Sequence, residues 1–445
     1  VDPAQTALGD ARTLALTRLV AGLIIACSAD VHTAASFAGL DAQLVTPPVG
    51  LGLLRWLALS PMQAQALTWT VVVLAVLGAV GAYARIAFSA LSLALLVLLA
   101  LPQRLGAVSH VHHLLWVATL LAASPCADVW SVDAYFEPRP LGARARYALP
   151  LDVLRALLAC IYFFPGLHKL LSFLGGVNPG DWLRSHVAWK WLQHGSAPPL
   201  LRALPAALFT PLALAALAFE LSFPALVAAR RARPWLLLAT LAFHAGTTLL
   251  LFIRFESLAV LWVSLIDLGP APPEPEPIAL RWRAGLRSTR VVGAGLLAGA
   301  VIAGALGLTQ LYPFACYPTF AAPAPASMPS ARIVLAHGQQ RCALPRPQGN
   351  AQWVEAFRIA GAYGDALDAA RAEAYLRHAF RTQAAHTACR VTRDTQLWLV
   401  LEQLSWDFDK QHSRVLSERV VYAVGASKLG IAPAGTNAAS IAPSR

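Results

Sequence analysis

Charge is what this sequence has least of. Only 13% of its 445 residues are Asp, Glu, Lys or Arg, about half of what a soluble domain carries. So few charges could not cover a water-facing surface for a chain this long. That excludes a soluble enzyme, and the apolar content excludes a disordered chain. Cysteine is scarce too: six residues and no CxxC pair. That leaves neither a disulfide scaffold nor a structural zinc site. No GxSxG, HExxH, GxxxxGKS/T or GxGxxG string occurs, so the usual nucleophile, metalloprotease and nucleotide motifs are missing. Asp2 and Asp10 stand where a cleavable signal would carry basic residues.

Apolar residues make up 57% of the chain, and mean hydropathy is +0.56. The composition predicts a mainly α, polytopic transmembrane helix bundle. Crossing ~30 Å of hydrocarbon takes about 20 residues. Nine runs qualify or come close: Leu14–Ala29, Ala66–Tyr83, Ile86–Leu101, Val111–Ala123, Leu151–Leu174, Ala206–Ala229, Pro234–Ile253, Leu258–Leu268 and Val291–Leu308. The fourth and eighth are short. Leu51–Ser60, with Arg55 in its middle, is too short to cross and is expected in the interface.

The net charge of +12 is assigned to loops rather than to a nucleic-acid partner. With a cytoplasmic N-terminus, thirteen arginines near span ends fall inside and six basic residues outside, as the positive-inside rule requires. The inside clusters include Arg139, Arg144 and Arg146; Arg230, Arg231 and Arg233; and Arg281, Arg283, Arg287 and Arg290. The expected location is a cell membrane, crossed many times, with everything after Leu308 outside the cytoplasm. Asp133, Asp152 and Asp267 lie near cytoplasmic span ends and receive no special role.

The chain divides into a transmembrane domain over 1–310, a proline-rich linker over 311–330, a small α+β extramembrane module over 331–425 and a disordered tail over 426–445. In the module, Asp365–Cys389 reads as a helix, and Gln396–Asp407 and Arg414–Val424 as strands of a hairpin. Cys316, Cys342 and Cys389 would face an oxidising compartment, either with one disulfide or as three thiols. The partners expected are membrane lipids, and a partner protein docked on this outer module.

Ionisable residues inside spans are costly, which makes them informative. In the fifth run, Pro165 and Gly166 predict a broken turn, followed at once by His168 and Lys169. Lys169 either lines a cavity or snorkels to the headgroups. Rise counting puts Glu220 and His244 at similar depth near the midplane. They are expected to pair, as a structural clamp or as part of a ligand site. The same counting sets Lys169 ~10 Å nearer the outer face than Glu220, so no tight Lys169–Glu220 salt bridge is expected. Such a pair would recast the lysine as structural. His110, His112 and His113 open the fourth run. Their spacing makes a weak metal set, and a hydrogen-bonding role beside Lys169 is preferred. Trp182, His186, Trp189 and Gln193 share one helical face in an outer loop that also holds Trp191 and His194. They form an aromatic belt or a lid over a lipid-like substrate.

Several strings carry a family resemblance: ADVWSVD (Ala127–Asp133), IYFFPGLHKL (Ile161–Leu170), GDWLRSH (Gly180–His186), Phe219–Glu220, Phe243–His244 and YPFACYPTF (Tyr312–Phe320). Over about residues 10–320 the chain resembles the horizontally transferred transmembrane (HTTM) domain family, whose known enzyme is vitamin K-dependent γ-glutamyl carboxylase. The resemblance implies a reduced, vitamin K-like quinol as cofactor and Lys169 as the base. His168 stands where a lysine is common, and Asp128 where the family has an assisting histidine. That departure, with the short C-terminal region, argues against γ-carboxylation itself.

Two functions stand at this point. One is a membrane enzyme acting on a quinol-like lipid or hydrophobic substrate. It would use Lys169 as base, with His168, His112 and His113 as donors to the developing oxyanion and Glu220, His244 and Trp182 binding the cofactor. The other is a non-catalytic membrane protein that binds a lipid, or a partner protein through the outer module.

Overall fold

The computed structural model describes residues 3–45, 51, 58–104, 111–198, 205–270, 277–309, 311–315, 324–325, 327–344, 368–383, 391–392, 394–410 and 412–431. Among these, seven helices are long and apolar enough to cross a membrane. They are built on α1 (Pro3–Cys27), α2 (Pro61–Val80), α3 (Ala84–Leu98), α5 (Ala145–Leu174), α7 (Phe209–Ala228), α8 (Arg233–Leu251) and α9 (Arg287–Ala305). Two further helices before the module bear on the site, α4 (His113–Ala122) and α6 (Pro179–His194), among several shorter ones.

The fourth and eighth expected spans appear as the short apolar helices His113–Ala122 and Glu256–Leu265. Both are buried along almost their whole length. A helix that is apolar all round belongs inside a bundle, and enclosure by protein removes the need to span lipid. Most of Leu51–Ser60 lies outside the described residues.

Contacts divide the chain into two compact units. The first holds Val1–Gly39, Pro47–Arg184 and Pro205–Pro323, and the second Leu40–Thr46, Ser185–Leu204 and Ala324–Arg445. In the first, α1 packs on α2 and α5, α3 on α2 and α4, and α5 on α7 and α9.

Aspartates without an assigned role, and arginines assigned to loops, tie this bundle together. Asp267 receives Arg155 at 3.0 Å, Arg233 at 3.1 Å and Arg230 at 3.3 Å. Asp152 pairs with Arg281, and Asp10 with Arg144 at 2.7 Å. Asp133 caps α3, accepting from the backbone N–H of Tyr83 and Ala84 at 2.7 and 2.9 Å. Arg18 donates to the Cys126 and Trp130 carbonyls. Asp128 accepts from the Tyr147 hydroxyl at 2.8 Å. The ADVWSVD string is therefore a joint between helix ends.

The second unit is a four-stranded antiparallel sheet with a helix. Its strands are β1 (Met328–His337), β2 (Gln340–Ala343), β3 (Gln396–Asp407) and β4 (His412–Gly425), in the order β2-β1-β3-β4. Its helix is α10 (Ala369–Gln383). Ile333 lies opposite Leu399, and Leu335 opposite Leu397. These side chains are buried with Ala372, Leu376 and Ala379 of α10, which recur at the spacing of one helical face. The β3–β4 hairpin falls where expected. β1 and β2 are additional, and β1 starts inside the stretch read as linker. The tail read as disordered begins with a packed 3-10 turn, Ala426–Leu429; its residues after Ile431 lie outside the described set. Cys27, Cys126 and Cys160 are free thiols. Cys342 is disulfide-bonded, and the other half lies outside the described residues, as Cys316 and Cys389 do.

Candidate functional site

α5 contains Pro150 and Pro165 yet runs unbroken from Ala145 to Leu174. The expected break at Pro165–Gly166 is absent, since a packed membrane helix absorbs proline by local adjustment. Gly166 serves close approach instead. A Cβ there would stand 2.8 Å from the Cβ of Glu220 on α7. One turn toward the start of α5, Tyr162 stacks on Phe223 with centroids 4.1 Å apart. The two helices therefore run antiparallel.

Lys169 Nζ is ion-paired with Glu220 Oε1, the side chains only 5% and 6% exposed. This overturns the expectation that the two stay apart. Rise counting places Cα atoms, whereas side chains lean toward the N-terminus of their own helix. On antiparallel helices Lys169 and Glu220 lean toward each other. Nζ also lies 5.3 Å from the Trp182 ring centre, a cation–π arrangement. Trp182 is buried near the start of α6, edge-on to Phe173 at 5.8 Å.

His168 points elsewhere. Its Nε2 donates to the Gly304 carbonyl on α9 at 2.9 Å, so it fastens α5 to α9. His112 packs on Trp116 with centroids 4.9 Å apart. His112 and His113 are buried, but neither lines the cavity around Lys169. His110 lies outside the described residues. Of the histidines expected beside the lysine, His168 is turned to α9 and His112 and His113 are not among the cavity-lining residues. Among the described residues no three His, Cys, Asp or Glu side chains form a metal set.

His244 on α8 hydrogen-bonds Tyr162, with Nε2 2.5 Å from the hydroxyl. Trp262 Nε1 donates to the same hydroxyl at 3.3 Å. His244 and Glu220 share a cavity, but the histidine's partner is Tyr162. Tyr162 was missed in the sequence. Its one signal was the seven-residue spacing from Lys169, which puts both on one face of α5.

The cavity holds about 430 Å³ and is lined by Tyr162, Lys169, Trp182, Glu220, His244 and mostly apolar neighbours. Phe219 and Phe243 stack in its wall with centroids 4.8 Å apart. Leu212 and Ala215 of α7 and Ala239 and Ala242 of α8 also line it, and all four are exposed. On membrane-crossing helices exposed positions face lipid, so the cavity has a rim of Leu212 and three alanines between α7 and α8.

In the second unit, Trp191 is buried against Trp406 at 5.6 Å and Phe408 at 5.7 Å. That tryptophan is a core residue rather than part of a belt.

The seven membrane-length apolar helices among the described residues define a multi-pass membrane protein. The HTTM domain model matches residues 8–268, and the chain belongs to the HTTM domain family. No curated protein and no solved structure matches it.

Proposed function

We propose that this HTTM-domain protein takes a lipid-soluble, quinol-like molecule from the bilayer and holds its polar head in the Lys169–Glu220 cavity. The observation that carries the reading is a buried ion pair in the wall of a mostly apolar pocket whose rim faces lipid. The volume suits a ring and the start of a tail, since ligand sites run from about 300 to 1,000 Å³. A paired ammonium donates hydrogen bonds and does not abstract protons. The pair recasts Lys169 as a structural group in the cavity wall rather than a base, and binding is the leading role.

The enzyme reading keeps one supporting observation. Glu220 Oε2 is buried with no hydrogen-bond partner among the described residues. It could accept the proton of a bound hydroxyl, leaving the ligand oxyanion beside the Lys169 ammonium.

The orientation proposed has the N-terminus in the cytoplasm of a cell and the module outside, where it could meet a partner protein. The disulfide at Cys342 supports the module's place outside. An odd number of crossings, seven among the described residues, then supports an N-terminus on the opposite side. The thirteen-to-six arginine count assumed nine crossings and does not carry over, because the Arg139–Arg146 and Arg230–Arg233 clusters change sides. An extracytoplasmic reporter enzyme fused after Arg445 should be active; activity only from a cytoplasmic reporter would reverse the orientation.

The function is tested by mass spectrometry of lipids and quinones co-purifying with the protein. A quinone should be enriched with the natural chain and lost with the isosteric double variant Lys169→Met/Glu220→Gln. Equal recovery from both would sink the reading.

A further inference from the structure

The hydrogen bonds around Tyr162 in the cavity wall determine what His244 offers a ligand. Trp262 Nε1 lies 3.3 Å from the Tyr162 hydroxyl, which lies 2.5 Å from His244 Nε2. An indole only donates, so the phenol oxygen accepts from Trp262. The phenol has one proton to place. If it goes to His244 Nε2, that nitrogen accepts and the imidazole proton sits on Nδ1. One group is then unmet, the Nδ1–H. In the reverse arrangement Nε2–H donates to the phenol. The phenol proton then has no acceptor and the Nδ1 lone pair no donor, leaving two unmet groups. Buried polar groups are rarely left unpaired, so the first arrangement holds.

His244 Nδ1 is buried and has no hydrogen-bond partner among the described residues, and the same is true of Glu220 Oε2. Both side chains line the cavity. The site thus carries one unmet donor on α8 and one unmet acceptor on α7. The two belong to different helices, and neither is satisfied by the Lys169 pair.

We infer that His244 is the donor that sets ligand specificity in this cavity. Its Nδ1–H, held in that tautomer by Tyr162 and Trp262, binds an acceptor oxygen on the ligand while Glu220 Oε2 accepts from a ligand hydroxyl. This rests on the proposed quinol-type binding and adds a rule for choosing among ligands. A ring with two hydroxyls satisfies both groups. A quinone has only acceptor oxygens, so it satisfies His244 and sets lone pairs against the Glu220 carboxylate. A hydrocarbon of the same shape satisfies neither. Tyr162 and Trp262 act through the histidine and are positioning residues.

The test uses the full chain in lipid nanodiscs, with binding read by quenching of tryptophan fluorescence. The probes are a decyl-substituted benzoquinone and its chemically reduced quinol. His244→Phe should weaken both by about tenfold or more, the loss of one buried hydrogen bond. His244→Asn, whose amide can place an N–H near the Nδ1 position, should restore most of that loss. Glu220→Gln should weaken the quinol alone and narrow the quinol-to-quinone ratio. Tyr162→Phe should lower quinone affinity by releasing the tautomer, visible as a shift of the His244 ring nitrogens in ¹⁵N NMR. If His244→Phe binds both probes as the natural protein does, or His244→Asn rescues nothing, the inference is overturned and the proposed function survives. If the natural protein binds neither probe, the proposed function falls and takes the inference with it.

Discussion

Gly166 on α5 lies so close to Glu220 on α7 that a single added carbon would stand 2.8 Å from the glutamate Cβ. The Lys169–Glu220 pair exists because nothing intervenes between the two helices there. Gly166→Ala is expected to destabilise the protein by about 1–3 kcal/mol through overpacking, although alanine is the better helix former. Thermal unfolding in nanodiscs reads this. An unchanged or raised midpoint would show that the helices do not depend on that contact.

Removing one partner of the buried pair strands the other. Lys169→Met or Glu220→Gln alone should cost more than the two together, and the lysine change about 3–5 kcal/mol, because a lone buried carboxylate remains. A double-mutant cycle on unfolding free energy measures the coupling. Strict additivity would mean that the two groups do not share an ion pair.

Ligand entry is expected between α7 and α8. Ala242 lines the cavity and is exposed, so Ala242→Phe should obstruct the rim and slow association by about tenfold, within the range over which rates vary among variants of one site. Leu249 is exposed on the same helix but does not line the cavity, and Leu249→Phe is the control. Equal association rates for the two variants, followed by stopped-flow fluorescence, would place the entrance elsewhere.

In the module, Lys428 and Tyr422 both donate to Glu373 at 2.7 Å. The lysine first and the tyrosine second hold the Glu373 carboxyl below its ordinary value. A depressed carboxyl stabilises the fold at pH values above the unfolded pKa, about 4.3. That contribution is lost as pH falls through the lower folded value. The Lys428 side chain is 67% exposed, so solvent screens the pair and the contribution should be small. Glu373→Gln should lower the unfolding midpoint at pH 7 and leave it unchanged near pH 2. A difference that persists at pH 2 would assign the effect to packing.

The parts of the site that could be read from the sequence were those that break a pattern. Lys169, Glu220 and His244 are ionisable residues in apolar runs, and all three line one cavity. Their pairing could not be read, because depth estimates follow the backbone and ignore the lean of side chains. Tyr162 was invisible since a tyrosine in an apolar run violates nothing. His112 and His113 attracted attention by type and are buried, yet neither lines the cavity around the lysine. The β3–β4 hairpin was legible from alternating residues. β1 was hidden because its first residues follow a run of prolines and its buried face is apolar at nearly every position.

The ten-residue helix α4 has a bearing on how the protein is made. About 15 Å long, it cannot be recognised as a span by the insertion machinery, which reads length and hydrophobicity. Its two ends are held by residues that emerge from the ribosome far later. Trp116 donates to the Pro313 carbonyl at 3.0 Å and stacks on Phe314, and Ser288 and Thr289 donate to Ala123 at the other end. During synthesis α4 must therefore wait as an unfinished segment, and the bundle seals only when the last crossing helix arrives to clasp it.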